Sequence, residues 1–137
     1  MRSIILAAAA LIGVAATAPA AQSGSPAAQS DLAGRLRLDR LIGSRVAGAP
    51  VTCVPLRQAT RSQVVPGEAI VYSQNSGRLF VNRPSGGAEW LTPDAILVSD
   101  QRIGQICRGD PVQIVDRASR IQRGFVTLGD FVPYTRR

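Results

Sequence analysis

Histidine and lysine are absent from this 137-residue chain, and cysteine occurs only twice, as Cys53 and Cys107. Without histidine, no Ser-His-Asp triad, Cys-His pair or His-containing zinc site can be assembled. Without lysine, a Ser-Lys dyad fails as well. The two cysteines are not spaced Cys-x-x-Cys, which removes the usual redox-active pair, and a metal site would need further ligands. Glutamate is nearly as scarce. Glu68 and Glu89 stand alone beside seven aspartates. Asp110, Asp116 and Asp130 do not follow the spacing of an EF-hand loop, and no Walker-type glycine loop offers a phosphate cradle. No cofactor and no metal are expected.

One apolar run dominates what is present. Arg2 precedes an almost wholly apolar stretch, residues 4–16, and Ala18-Pro19-Ala20 follows with small residues where a signal peptidase cuts. This pattern predicts a signal peptide over residues 1–20, cleaved near Ala20. The competing reading, a membrane anchor, requires roughly 20 apolar residues, more than this run supplies. No later stretch is long enough to span a bilayer. A periplasmic or secreted location follows, and export makes Cys53 and Cys107 a disulfide pair by count. Closing a loop of 54 positions contributes about 4 kcal/mol on the chain-entropy model.

Residues 21–30 are small and polar with one proline, and read as a flexible linker. Residues 31–137 then form a single domain. All sixteen basic side chains are arginine. Losing Arg2 with the leader leaves fifteen arginines against nine acids, a net charge of +6. The planar guanidinium suits phosphate and carboxylate. An anionic envelope polymer or another envelope protein is the partner such a surface fits. The competing view is that the excess reflects genomic composition and only solubilises the protein. No run of five or more arginines marks a nucleic-acid arm, so no nucleic acid is expected.

The fold class expected is mainly β: a small antiparallel barrel or curled sheet of about six or seven strands with one N-terminal helix. The helix is placed at residues 31–46, capped by Ser30 or Asp31, with Leu32, Leu36, Ile42 and Val46 on one buried face and Leu38 at its edge. An Arg35–Asp39 pair would support it, and Gly43 is a candidate end. EAIVYS at 68–73 and RLFVN at 78–82, flanking Gln74-Asn75-Ser76-Gly77, predict a β-hairpin. Further strands are placed at 51–56, 111–116, 125–128 and 131–134, and residues 95–99 read either as a strand or as the end of a short helix begun at 92–94.

Three local features bear on function. Residues 82–90 form a glycine-rich loop carrying the single tryptophan. Trp90 is read as a core anchor in preference to a ligand-facing lip with Arg83. Arg108-Gly109-Asp110 is read as a turn beside Cys107, not as a displayed adhesion motif. Arg117, Arg120 and Arg123 share a hairpin loop that reads either as a solvated loop or, with Arg108, Arg136 and Arg137, as a basic patch; Arg108, Arg117, Arg120 and Arg123 are the candidate contact residues for an anion.

The segments CVPLR, SQVVPGEAIVY, RLFVNRPSGGAEWL, CRGDPVQIVDR and GFVTLGDFVPY stand in an order that resembles a group of small exported proteins of unknown function from α-proteobacteria and their relatives. The likeness covers residues 32–134. It rests on the CVPLR start, the Cys-x-Gly-Asp element and the Pro-Tyr ending. It implies an envelope or secreted location and brings no catalytic residue. Relatives of that pattern place further cysteines after the central hairpin, where this chain has residues 83–89. Three functions are therefore expected, in descending order. The first is a non-enzymatic exported domain that binds an anionic envelope component or a protein. The second is a small carboxylate-based hydrolase or lyase using Glu68, Glu89 or Asp94 on envelope glycans. The third is a purely structural envelope protein.

Overall fold

The computed structural model describes residues 25–59, 61–100 and 104–137. The expected signal peptide lies outside the described residues. Helix α1 spans Pro26–Ile42. Among the described residues ten strands follow: β1 Val46–Ala47, β2 Cys53–Pro55, β3 Arg61–Val65, β4 Ala69–Ser73, β5 Leu79–Asn82, β6 Ala95–Val98, β7 Gln105–Cys107, β8 Pro111–Asp116, β9 Gln122–Thr127 and β10 Phe131–Thr135. They form three antiparallel sheets: β1-β10-β5-β4-β3, β6-β8-β9 and β2-β7.

The molecule is layered, with α1 on one face of the five-stranded sheet and the two smaller sheets on the other. β4 and β5 explain why. AIVYS and LFVN are apolar without alternation, which suits a strand covered on both faces. Ala69, Val71, Leu79 and Val81 turn toward α1 and pack with Leu38 and Val65. Ile70, Tyr72 and Phe80 turn the other way, into a larger core with Val112, Ile114, Val126 and Phe131. The rings of Tyr72 and Phe131 lie 5.8 Å apart at 52°. Burial pushes the Tyr72 phenol above its ordinary range.

The mainly-β expectation holds, and the β4–β5 hairpin forms with Ile70 opposite Asn82 and Ser73 opposite Leu79. The barrel does not: among the described residues the large sheet ends at β1 and β3 without closing. Closure is unnecessary because both of its faces are covered. The strand count rises above six or seven because β1 and β7 are only two and three residues long, and because RSQVV of β3 hides its strand character behind polar side chains.

The helix differs most from expectation. It begins at Pro26, inside the segment read as linker, with Ser25 as N-cap and no side-chain capping bond. It ends at Ile42, with Gly43 at φ 58° donating its N–H to the Asp39 carbonyl at 2.8 Å. Leu32 and Leu36 are 59% and 53% exposed, and Val46 belongs to β1. The face turned to the sheet is Gly34, Leu38, Leu41 and Ile42, at the i, i+4, i+7, i+8 spacing of one helical stripe. A Cβ on Gly34 would stand 2.6 Å from the Pro66 carbonyl oxygen. The missing side chain therefore lets the helix touch the β3–β4 turn. Arg35 does not pair with Asp39; its Nε lies 3.8 Å from Glu68 instead.

Candidate functional site

Cys53 and Cys107 face each other across β2 and β7 and are joined by a disulfide with Cα atoms 4.0 Å apart. The bond is compatible with an oxidising extracellular or periplasmic compartment. Among the described residues no helix is long and apolar enough to cross a membrane. The Arg108-Gly109-Asp110 element is a tight turn. Asp110 Oδ2 accepts from the Cys107 N–H at 2.7 Å, and the Gly109 N–H donates to the Leu128 carbonyl at 2.8 Å.

The four candidate arginines do not assemble into one patch. Arg108 precedes β8 and Arg117 follows it, so a six-residue strand separates them by roughly 20 Å. Two of the four are also neutralised. Arg108 Nη1 lies 3.4 Å from Asp130 Oδ2, and Arg123 Nη2 lies 3.4 Å from Asp116 Oδ2. Arg120 adopts φ 59° in the β8–β9 turn and is exposed. Arg117 is exposed beside the cleft described below.

Asp116 organises that turn. Its Oδ1 accepts from the Ala118 N–H, the Ser119 N–H and the Ser119 hydroxyl at 3.0, 2.8 and 2.9 Å. These Ser119 bonds first, and Arg123 to a lesser extent, hold its carboxyl below the ordinary value. A carboxylate favoured in the folded state stabilises the fold above its unfolded pKa of about 4, and that contribution fades as the pH falls through its lower folded value. Asp116→Asn is expected to be less stable at neutral pH and to lose less stability on acidification below about pH 4 than the parent. Urea denaturation of both proteins across that range reads the difference; parallel pH profiles would show that the carboxylate does not hold the turn.

The carboxylates considered for glycan chemistry are dispersed. Glu68 Oε1 accepts from Arg83 Nε at 3.0 Å, so this glutamate is tied to arginines on two sides. Glu89 is exposed and lines a hollow with Asp31 and Pro93, in a wall that does not include Glu68. The Asp94 carbonyl accepts from the Arg117 N–H at 3.2 Å, which extends the β6–β8 ladder one step beyond the Ala95–Asp116 pair. Trp90 is not a core anchor. It is 42% exposed and lies flat against Gly124, where a Cβ would come within 2.7 Å of the indole. The absent side chain of Gly124 is what gives the ring its seat on β9.

A different set of arginines converges at one end of the five-stranded sheet. Antiparallel order places the start of β1, the end of β10, the start of β5 and the end of β4 side by side. Arg45, Arg136 and Arg78 flank those strand ends, and Arg57 reaches the same end from the short helical turn Leu56–Gln58. Arg45 Nε donates to the Gly77 carbonyl at 3.1 Å, while its Nη1 donates to the helix-terminal carbonyls of Leu41 and Ile42 at 3.2 and 3.0 Å. The Arg136 guanidinium lies beside Gly77. Arg57 and Arg78 line an open hollow of about 480 Å³ whose remaining wall is Gln58, Gln74, Asn75 and Ser76. Gln74 Nε2 donates to Gln58 Oε1 at 3.0 Å and fixes the amides. Among the described residues no carboxylate forms an ion pair with any of these four arginines.

Sequence reading groups Arg136 with Arg108 and the β8–β9 loop arginines and misses this cluster, because its members are spread from position 45 to 136 and only strand order unites them. Among the described residues no group of three or more acidic or cysteine side chains gathers as a metal site requires. Comparison of the chain with family models, with curated proteins and with solved structures finds no match.

Proposed function

We propose that the protein is an exported, non-enzymatic binding domain whose basic sheet end holds an anionic, hydroxyl-rich polymer of the cell envelope. The observation that carries this reading is that Arg57 and Arg78 line a hollow walled by amides and a hydroxyl, with Arg136 beside the adjoining Gly77 and no acid among the described residues paired to any of the three. Elsewhere Arg35 and Arg83 lie against Glu68, Arg108 against Asp130 and Arg123 against Asp116. Guanidinium groups bind phosphate or carboxylate through two parallel bonds, and side-chain amides serve the neighbouring hydroxyls. Arg45 plays a separate part. It ties the helix end to the β4–β5 turn and so holds the site's floor.

The test is co-sedimentation of oxidised protein with cell-wall sacculi, lipopolysaccharide vesicles and outer membranes, each from low to high salt. Binding to one of these materials is expected to fade as salt rises, because exposed charges are screened. Replacing Arg57, Arg78 and Arg136 together by serine is expected to weaken it roughly tenfold or more, since each charge-assisted bond contributes on the order of 1 kcal/mol. Replacing Arg108, Arg117, Arg120 and Arg123 is expected to leave it nearly intact. Unchanged binding in the first variant, or loss only in the second, overturns the assignment.

A further inference from the structure

A second feature lies away from the basic sheet end. β3 is the last strand of the five-stranded sheet and is bonded only to β4; β6 is the outer strand of the three-stranded sheet and is bonded only to β8. These two edges line a common cleft of about 370 Å³. Gln63 and Val64 come from the first edge, and Ile96 and Leu97 from the second. Val64, Ile96 and Leu97 are half-buried, so apolar surface is offered inside the cleft. Arg37 of α1 and Arg117 of the β8–β9 turn complete the wall, and none of the lining residues is acidic. Neither arginine is ion-paired among the described residues.

An edge strand leaves alternate backbone N–H and C=O groups without a strand partner. Another extended backbone satisfies that row at the right repeat, while the pockets between side chains select what it carries. We propose that this cleft receives an extended acidic segment of a partner protein, which adds as a strand along an edge and places carboxylates on Arg37 and Arg117. A second copy of this chain fits poorly. It would bring the same arginines to the same place, on a molecule whose formal net charge is +7. Like charge on an edge is a device against such self-pairing.

The experiment uses the full oxidised chain and three labelled short peptides: one alternating Asp and Val, one alternating Lys and Val, and the acidic one with proline at alternate positions. Fluorescence anisotropy is expected to show binding of the acidic peptide alone, since lysine reverses the charge and proline removes the backbone donors. The Arg37→Ser/Arg117→Ser variant, whose changes are at exposed positions, is expected to lose roughly tenfold or more of that affinity while keeping its circular dichroism and unfolding midpoint. The Arg57→Ser/Arg78→Ser/Arg136→Ser variant is expected to bind the peptide as the parent does, which separates this site from the polymer site. Failure of the acidic peptide to bind, equal binding of the proline or lysine peptide, or unchanged affinity in the Arg37/Arg117 variant overturns the proposal. So does a concentration-dependent dimer that the acidic peptide dissolves, which would assign the edges to a second copy.

Discussion

Replacing Cys53 and Cys107 by serine, or reducing the bond between them, is expected to lower the free energy of unfolding by about 4 kcal/mol. The loop closed is 54 positions long, and its release restores that much chain entropy to the unfolded state. The loss falls on a part of the fold with little else to hold it. β2 and β7 pair only with each other, over three residues, and a lone two-stranded ribbon is marginal in water. Yet this ribbon supplies Val54 and Ile106 to the larger core, both almost wholly buried. When the covalent tie goes, separation of the ribbon uncovers the floor of that core. Domains of this size have only about 5–15 kcal/mol in total, so the reduced protein is expected to unfold at a much lower urea concentration. Urea curves with and without reductant measure the difference. A shift worth less than about 1 kcal/mol would mean that apolar packing alone holds the ribbon in place.

Asn82→Leu is expected to cost about 3 kcal/mol or more, although leucine is apolar and the site is fully buried. Asn82 is the only buried polar side chain among the described residues. Its Nδ2 donates to the Gly129 carbonyl at 2.7 Å and its Oδ1 accepts from the Gly129 N–H at 3.1 Å. One side chain therefore satisfies both backbone groups of a buried residue between β9 and β10. Leucine leaves both unpaired, and each carries a desolvation cost of about 1–3 kcal/mol. The same substitution loosens the corner that delivers Phe131, fully buried, into the core opposite Asn82. Asn82→Asp is expected to be at least as damaging, because it keeps an acceptor, loses the donor and buries a charge. Thermal unfolding of the two variants reads this. Stability of Asn82→Leu within about 0.5 kcal/mol of the parent would show that Gly129 finds other partners.

These two sites differ in how far sequence reasoning reaches them. The disulfide is legible from a count of two cysteines together with the expectation of export, because a single pair leaves one connectivity. Asn82 sits at the end of a well-predicted strand, but its partner lies 47 positions away and nothing local marks the contact. The helix shows the same limit from another side. Leu32 and Leu36 form the more apolar stripe by composition, yet the stripe that packs contains Gly34, whose value lies in having no side chain. Trp90 reads from sequence as a core anchor at the end of its loop; its place is set by another glycine, Gly124, in a strand packed beside it.

By itself, the sequence determined the chemistry that cannot occur without histidine or lysine, the β-rich character, the central hairpin and the cysteine pairing. Each of these depends on composition or on residues close together along the chain. Only the tertiary structure decided which arginines are neutralised and which converge, which face of the helix is buried, and which strand edges flank the cleft. Antiparallel strand order brings Arg45, Arg57, Arg78 and Arg136 to one end of a sheet, while one strand's length carries Arg108 away from Arg117. Charge at a site is a sum over spatial neighbours, and neighbours in a sheet are set by pairing between distant segments.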